Sequence, residues 1–138
     1  MAHTQTLTTR IVAEDARALL EFVQTVFDAE VTEVHDTGRH ITHSEVTIGN
    51  SKLFIASSTE EFGEFPAMLN VYVDDVDKVH ALALENGAVN LRDPEDRSYG
   101  DRTGGVRDVE GNQWWIFSHV DDVRQGAHRR KMAELAAG

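Results

Sequence analysis

The sequence predicts an α+β domain built from two βαβββ modules and followed by a C-terminal helix. Three observations predict it. An order of strand, helix and three strands is written twice, with the helix-capping residues Asp15 and Asp75 lying 75 − 15 = 60 positions apart. Apolar residues recur at helical spacing after each of these aspartates, whereas the segments around them are short, β-branched and partly alternating. Turn residues punctuate the segments at matching places, as in Asp36-Thr-Gly-Arg39, Gly49-Asn50 and Glu110-Gly-Asn112. One unit of about 55 residues buries only a thin core, so the two units are expected to share a surface.

Leu7 to Ala13 is rich in Thr, Ile and Val and reads as the first strand. Asp15 caps a helix whose stripe is Ala16, Leu19, Leu20, Val23, Val26 and Phe27. Ala29 to His35 reads as a strand. Ile41 to Ile48 alternates, with Val46 and Ile48 on one face and His43, Glu45 and Thr47 on the other. Gly49-Asn50 marks a hairpin, and Ser51 to Ser57 returns. Thr59 to Pro66 is an acidic connector. Leu69, Val71 and Val73 alternate as the fifth strand, and Asp75 caps a helix ended by Gly87. Ala88 to Leu91 is a short strand, Arg92 to Arg102 a long polar loop, Gly105 to Asp108 a strand and Gln113 to Ser118 the last strand. The predicted organisation is one domain over residues 1–138, with modules at about 5–58 and 67–119 and a helical tail at about 121–136.

Composition excludes several functions. Lys and Arg number 13 against 24 Asp and Glu, giving a formal charge of −11. Nucleic-acid binding and docking on an anionic membrane both need clustered cations, so neither is expected. No cysteine occurs, which removes disulfides, thiolate metal sites and cysteine nucleophiles. It also fits a reducing cytosol, and a cytoplasmic protein is expected. The N-terminal stretch has no apolar core of a signal peptide, and no apolar run is long enough to span a bilayer.

Three stretches carry a family resemblance: Arg10-Ile-Val-Ala-Glu-Asp15 leading into Ala18-Leu-Leu-Glu-Phe22, Val71-Tyr-Val-Asp-Asp-Val-Asp77, and Tyr99-Gly-Asp-Arg-Thr-Gly-Gly-Val-Arg-Asp-Val-Glu-Gly-Asn-Gln-Trp114. With the paired modules they resemble the vicinal oxygen chelate superfamily, which includes glyoxalase I, extradiol dioxygenases and the bleomycin and fosfomycin resistance proteins. The third stretch is similar to the PhnB-like branch. The resemblance covers Thr6 to about Asp122. It implies that each module curls into a quarter of a barrel and that two modules close a half-barrel cup.

Metal-dependent members of that family carry His, Glu or Gln at four strand positions facing the cup. Matched by local motif, these fall on Thr8, Phe54, Met68 and Trp115, and a shift of one residue produces no better set. No metal and no other cofactor is therefore expected. The faces bearing these residues also carry Arg10, His43, Glu45, Thr47, Asn70, Tyr72, Gln113 and Phe117. They suggest an aromatic-lined pocket with a few polar groups, in which Trp115, Phe54 and Tyr72 stack on a planar ligand.

Glu45 and His43 are the candidate catalytic residues, acting as general base, with Arg10 stabilising negative charge; an exposed strand glutamate is the competing reading for Glu45. His40 and His43 are three apart and should point to opposite faces. His119 is an arguable ligand without an evident partner, and His128 reads as part of a solvated helix end. Tyr99 and Arg102 are pocket candidates at the rim of the cup. The alternative is an ordered loop with Asp101 or Arg102 bridged to backbone or to Asp108. Trp114 reads as core, and Phe62 and Phe65 as connector residues, a lid or a dimer contact.

The expected function is metal-independent binding of a small hydrophobic or aromatic molecule, cationic ones included. The alternatives are a lyase, isomerase, hydrolase or dioxygenase-type enzyme using acid–base residues or a non-canonical metal, and a structural dimer without a ligand. The expected partners are that ligand and a second copy of the chain.

Overall fold

The computed structural model describes residues 5–97 and 100–118. The expected C-terminal helix at 121–136, His119, His128 and Tyr99 lie outside the described residues. Strand β1 spans Arg10–Ala13, helix α1 Ala16–Phe27, β2 Glu30–Asp36, β3 Ile41–Ile48 and β4 Ser51–Ser57. The second module repeats the order with β5 Met68–Val73, α2 Val76–Glu85, β6 Val89–Asp96, β7 Arg102–Arg107 and β8 Gln113–Ser118. Each module forms a four-stranded mixed sheet, ordered β1-β4-β3-β2 in the first and β5-β8-β7-β6 in the second. The outer pairs β1/β4 and β5/β8 are parallel and the others antiparallel. The expected two-module α+β architecture is what the chain adopts, and the sheets do not close into a barrel.

Matching caps start the two helices. Asp15 Oδ1 accepts from Ala18 N at 3.1 Å, and Asp75 Oδ1 accepts from Lys78 N at 3.1 Å. Each bond satisfies one of the amides that a helix start leaves unpaired. One face of α1 is buried through Leu19, Phe22, Val23, Val26 and Phe27. It covers the inner face of the first sheet, where Ile11, Val46 and Ile55 are fully buried. Trp114, Ile116 and Val106 are the corresponding buried residues of the second sheet. The modules meet through α1 against α2 and through the Phe27 ring, whose centroid lies 4.7 Å from that of Trp114. A single bridge, Val12 to Phe65, links β1 to the connector.

Three strand boundaries differ by three residues or more from the sequence expectation, among them the start of β7, which lies at Arg102 and not at Gly105. β1 begins at Arg10, so Thr8 lies before it. β6 runs to Asp96 through Pro94, taking up half of the expected Arg92–Arg102 loop. Proline is tolerated there because β6 is the outermost strand, and the register shift between Arg92 and Glu95 spans it. Among the described residues, no helix is long and apolar enough to cross a membrane.

Candidate functional site

Each sheet buries one face beneath the helices and leaves the other open. Register places Glu33, Glu45, Phe54 and Arg10 in one row across the open face of the first sheet, because Glu33 pairs Glu45, Glu45 pairs Phe54 and Phe54 pairs Arg10. His35 and His43 form a neighbouring pair. The equivalent row of the second sheet is Asn70, Trp115, Gly105 and Arg92, followed by Tyr72, Phe117, Thr103 and Glu95. The first face is therefore polar and ionisable, and the second aromatic.

The aromatic face is built around an absent side chain. A Cβ on Gly105 would stand 2.5 Å from Trp115 Cζ3, so glycine is what allows the indole to lie across β7. Arg92 Cζ lies 4.9 Å from the centre of the indole, within the range of an attractive cation–π contact. Trp115 Nε1 donates to Gln113 Oε1 at 3.2 Å. Tyr72 stacks on Phe117 with centroids 5.3 Å apart, while Tyr72 and Met68 remain 58% and 69% exposed. So many apolar atoms on one open face are costly to leave in water and suit a planar ligand or a covering surface.

On the first face Phe54 packs edge-on to His43, with centroids 4.8 Å apart. The Glu45 carboxylate lies 3.4 Å from Lys52 Nζ and 4.0 Å from His43 Nε2. Glu33 accepts from His35 Nε2 at 2.8 Å, and this bond holds its carboxyl below the usual carboxylate range. Glu33 and His35 escaped the sequence reading. Their signal is nonetheless present: Glu33-Val-His35 and His43-Ser-Glu45 are two i, i+2 pairs on strands joined by a turn.

Arg102 is held away from this face. It donates to Asp77 through Nε and Nη2 at 2.6 and 2.9 Å and to Asp96 through Nη1 at 3.0 Å, tying α2 to β6 and β7. Its Nη2 also donates to the Pro94 carbonyl at 3.4 Å, so the expected bridge to backbone is present, and its carboxylate partners are Asp77 and Asp96 and not Asp108. His40 precedes β3 in the turn, and the neighbour of His43 is instead His35, 5.9 Å between centroids. Asp108 is buried and organises its own turn, accepting from the amides of Glu110 and Asn112 and from the Asn112 and Trp114 side chains.

The four positions that the resemblance assigns to a metal do not fit one. Phe54 abuts His43, Met68 projects into solvent, Trp115 covers Gly105 and Thr8 stands ahead of β1. None supplies a carboxylate or imidazole. A groove of about 950 Å³ opens instead at the free edge of β5. Leu7, Phe27, Lys52, Asn70, Tyr72 and Asp74 are among the residues lining it. It shares only Asn70 and Tyr72 with the predicted pocket.

Residues 1–116 match the family model described as Glyoxalase/Bleomycin resistance protein/Dioxygenase superfamily. An uncharacterised protein of Mycobacterium bovis is 25% identical over 144 residues, spanning 96% of this chain and 95% of its own length. Among solved structures, TioX from Micromonospora sp. ML1 superposes with a TM-score of 0.71 at 21% identity, covering 83% of this chain and 98% of TioX. A glyoxalase/bleomycin resistance protein/dioxygenase family enzyme from Burkholderia phytofirmans PsJN gives 0.67 at 22% identity, covering 80% and 95%. A Bacillus cereus protein named as a PhnB protein gives 0.68 at 18% identity, covering 83% and 100%. At these identities the solved structures share the fold.

Proposed function

The chain belongs to the glyoxalase/bleomycin resistance protein/dioxygenase superfamily, and on that premise we propose that it binds a small planar aromatic molecule on the open face of its second module. The observation that carries this reading is the aromatic ladder in which exposed Tyr72 stacks on half-buried Phe117, with half-buried Trp115 lying above Gly105. Asn70 and Gln113 supply orienting polar groups beside it. Arg92 already lies at cation–π distance from the indole, so a planar ligand stacks next to a positive charge. Binding uses no metal at the four strand positions of the family. The role is sequestration, of the kind resistance proteins perform, in the cytoplasm. The Tyr99–Trp114 stretch and the Bacillus cereus neighbour support placing the chain in the PhnB-like branch.

The ligand is enclosed by a second copy of the chain, because Met68, at the start of the aromatic strand, is 69% exposed. Fluorescence titration with a panel of aromatic compounds tests the site. A binder that quenches emission, and loses affinity about tenfold or more in Trp115→Ala, supports it. Unchanged affinity in that variant removes it. Light scattering of Met68→Glu tests enclosure, with loss of the dimer expected.

One observation favours an enzymatic reading beside it. Glu45 and His43 share the first open face with Arg10, which places a base and a cation in reach of one ligand. Under that reading Glu45→Gln abolishes turnover of the bound compound while leaving its binding intact.

A further inference from the structure

We propose that the open face of the first module holds a divalent transition-metal ion through Glu33, His43 and Glu45, with His35 as a fourth donor. Each of the three offers a ligand atom, and these atoms lie within 4.8 Å of one another. Bonds of about 2.0–2.2 Å separate opposite ligands of one ion by about 4.4 Å at most, so small side-chain rotations close the set. The donors do not depend on loops. They sit on two hydrogen-bonded strands, where Glu33 faces Glu45 and His35 faces His43.

Charge is a second reason. Two carboxylates directly opposite on a sheet repel each other unless a cation lies between them. In the protein alone that role falls to weaker substitutes: Lys52 Nζ at 3.4 Å and His43 at 4.0 Å from Glu45, and His35 at 2.8 Å from Glu33. Register shifts between Val31 and Glu33 and between His35 and Asp36 bracket the donors on β2. Such bulges re-aim side chains at sites of this kind. The site is distinct from the four family positions at Thr8, Phe54, Met68 and Trp115.

The donor set selects the ion. Two imidazoles and two carboxylates suit zinc, iron, nickel or cobalt, whereas calcium and magnesium take oxygen throughout. The Glu45 and His43 side chains are 22% and 29% exposed, which leaves one side of the ion open to water or a ligand atom.

The test uses the full, tag-free chain freed of metal with a chelator. Zn²⁺ is titrated by calorimetry, and Co²⁺ by its visible absorption. One ion per chain is expected, with His43→Gln and Glu45→Gln each weakening binding about 10–100-fold. Lys52→Gln tightens it several-fold, because it removes the competing cation; a merely structural carboxylate cluster has no reason to do so. Circular dichroism and melting confirm that these solvent-facing variants fold. Absence of a stoichiometric ion, or an affinity unchanged in the Glu33→Gln/Glu45→Gln double variant, overturns the proposal. The readout is metal alone, so its failure leaves the aromatic-face reading standing.

Discussion

Trp114 Nε1 donates to Asp108 Oδ2 at 2.7 Å in the buried turn between β7 and β8. The bond joins the core of the second module to the turn that precedes its last strand. Oδ1 of the same carboxylate accepts from the amides of Glu110 at 2.8 Å and Asn112 at 3.0 Å. Asn112 Oδ1 in turn accepts from Ala67 N at 2.9 Å, fastening the connector that leads into β5. One carboxylate therefore sets both the turn and the approach to the aromatic strand.

Asp108→Ala strands several buried donors at once and is expected to cost about 3–5 kcal/mol. Trp114→Phe loses the hydrogen bond and also leaves a cavity where the buried indole stood, at about 2–4 kcal/mol. Urea unfolding of both single variants and of the double variant measures the coupling. Strictly additive losses contradict the network.

Phe27 ties the modules together through its contact with Trp114 and its edge-on contact with Phe22, centroids 6.1 Å apart. Phe27→Ala should cost about 3–4 kcal/mol, since the cavity opens between two sheets that cannot both collapse into it. Chemical denaturation checks the size of the loss. A change below about 1 kcal/mol would show that the modules do not rely on this junction.

Gly105→Ala drives a methyl group into the Trp115 ring and pushes the indole off β7. The expected result is a shifted Trp emission maximum and aromatic-ligand affinity reduced about tenfold, with a stability loss of about 1–3 kcal/mol. An unshifted spectrum with full affinity contradicts the placement of the indole.

Arg102 supplies a pH dependence. Its hydrogen bonds hold the Asp77 carboxyl below the ordinary value of 3.8. A lowered folded-state pKa contributes stability above the unfolded value, and that contribution fades as pH falls through the folded value. Thermal melts of wild type and Arg102→Gln should therefore differ by a constant small amount near neutrality, and the difference should narrow below pH 3.8. A gap that stays fixed into strong acid contradicts the ion pair.

The repeat of modules was legible because helix and strand have different periods and both helices start on a capping aspartate. The division of residues between buried and open faces was legible for the same reason: Val46 and Ile55 alternate with Glu45 and Phe54. The length of β6 was not, because Pro94 reads as a strand breaker until its place on an outer edge is known. The partners of Arg102 were hidden because Asp77 lies 25 residues away on α2. Glu33 and His35 were visible as a pattern, but only the β2–β3 register sets them against Glu45 and His43.

The chain has two tryptophans, one buried and one on the open face. Their indole N–H signals are resolved by ¹⁵N-correlated nuclear magnetic resonance during titration with an aromatic binder. The account predicts that the Trp115 signal moves with saturation while the Trp114 signal, bonded to Asp108, stays in place. Movement of Trp114 alone, or of neither, contradicts a ligand site on the second module's open face.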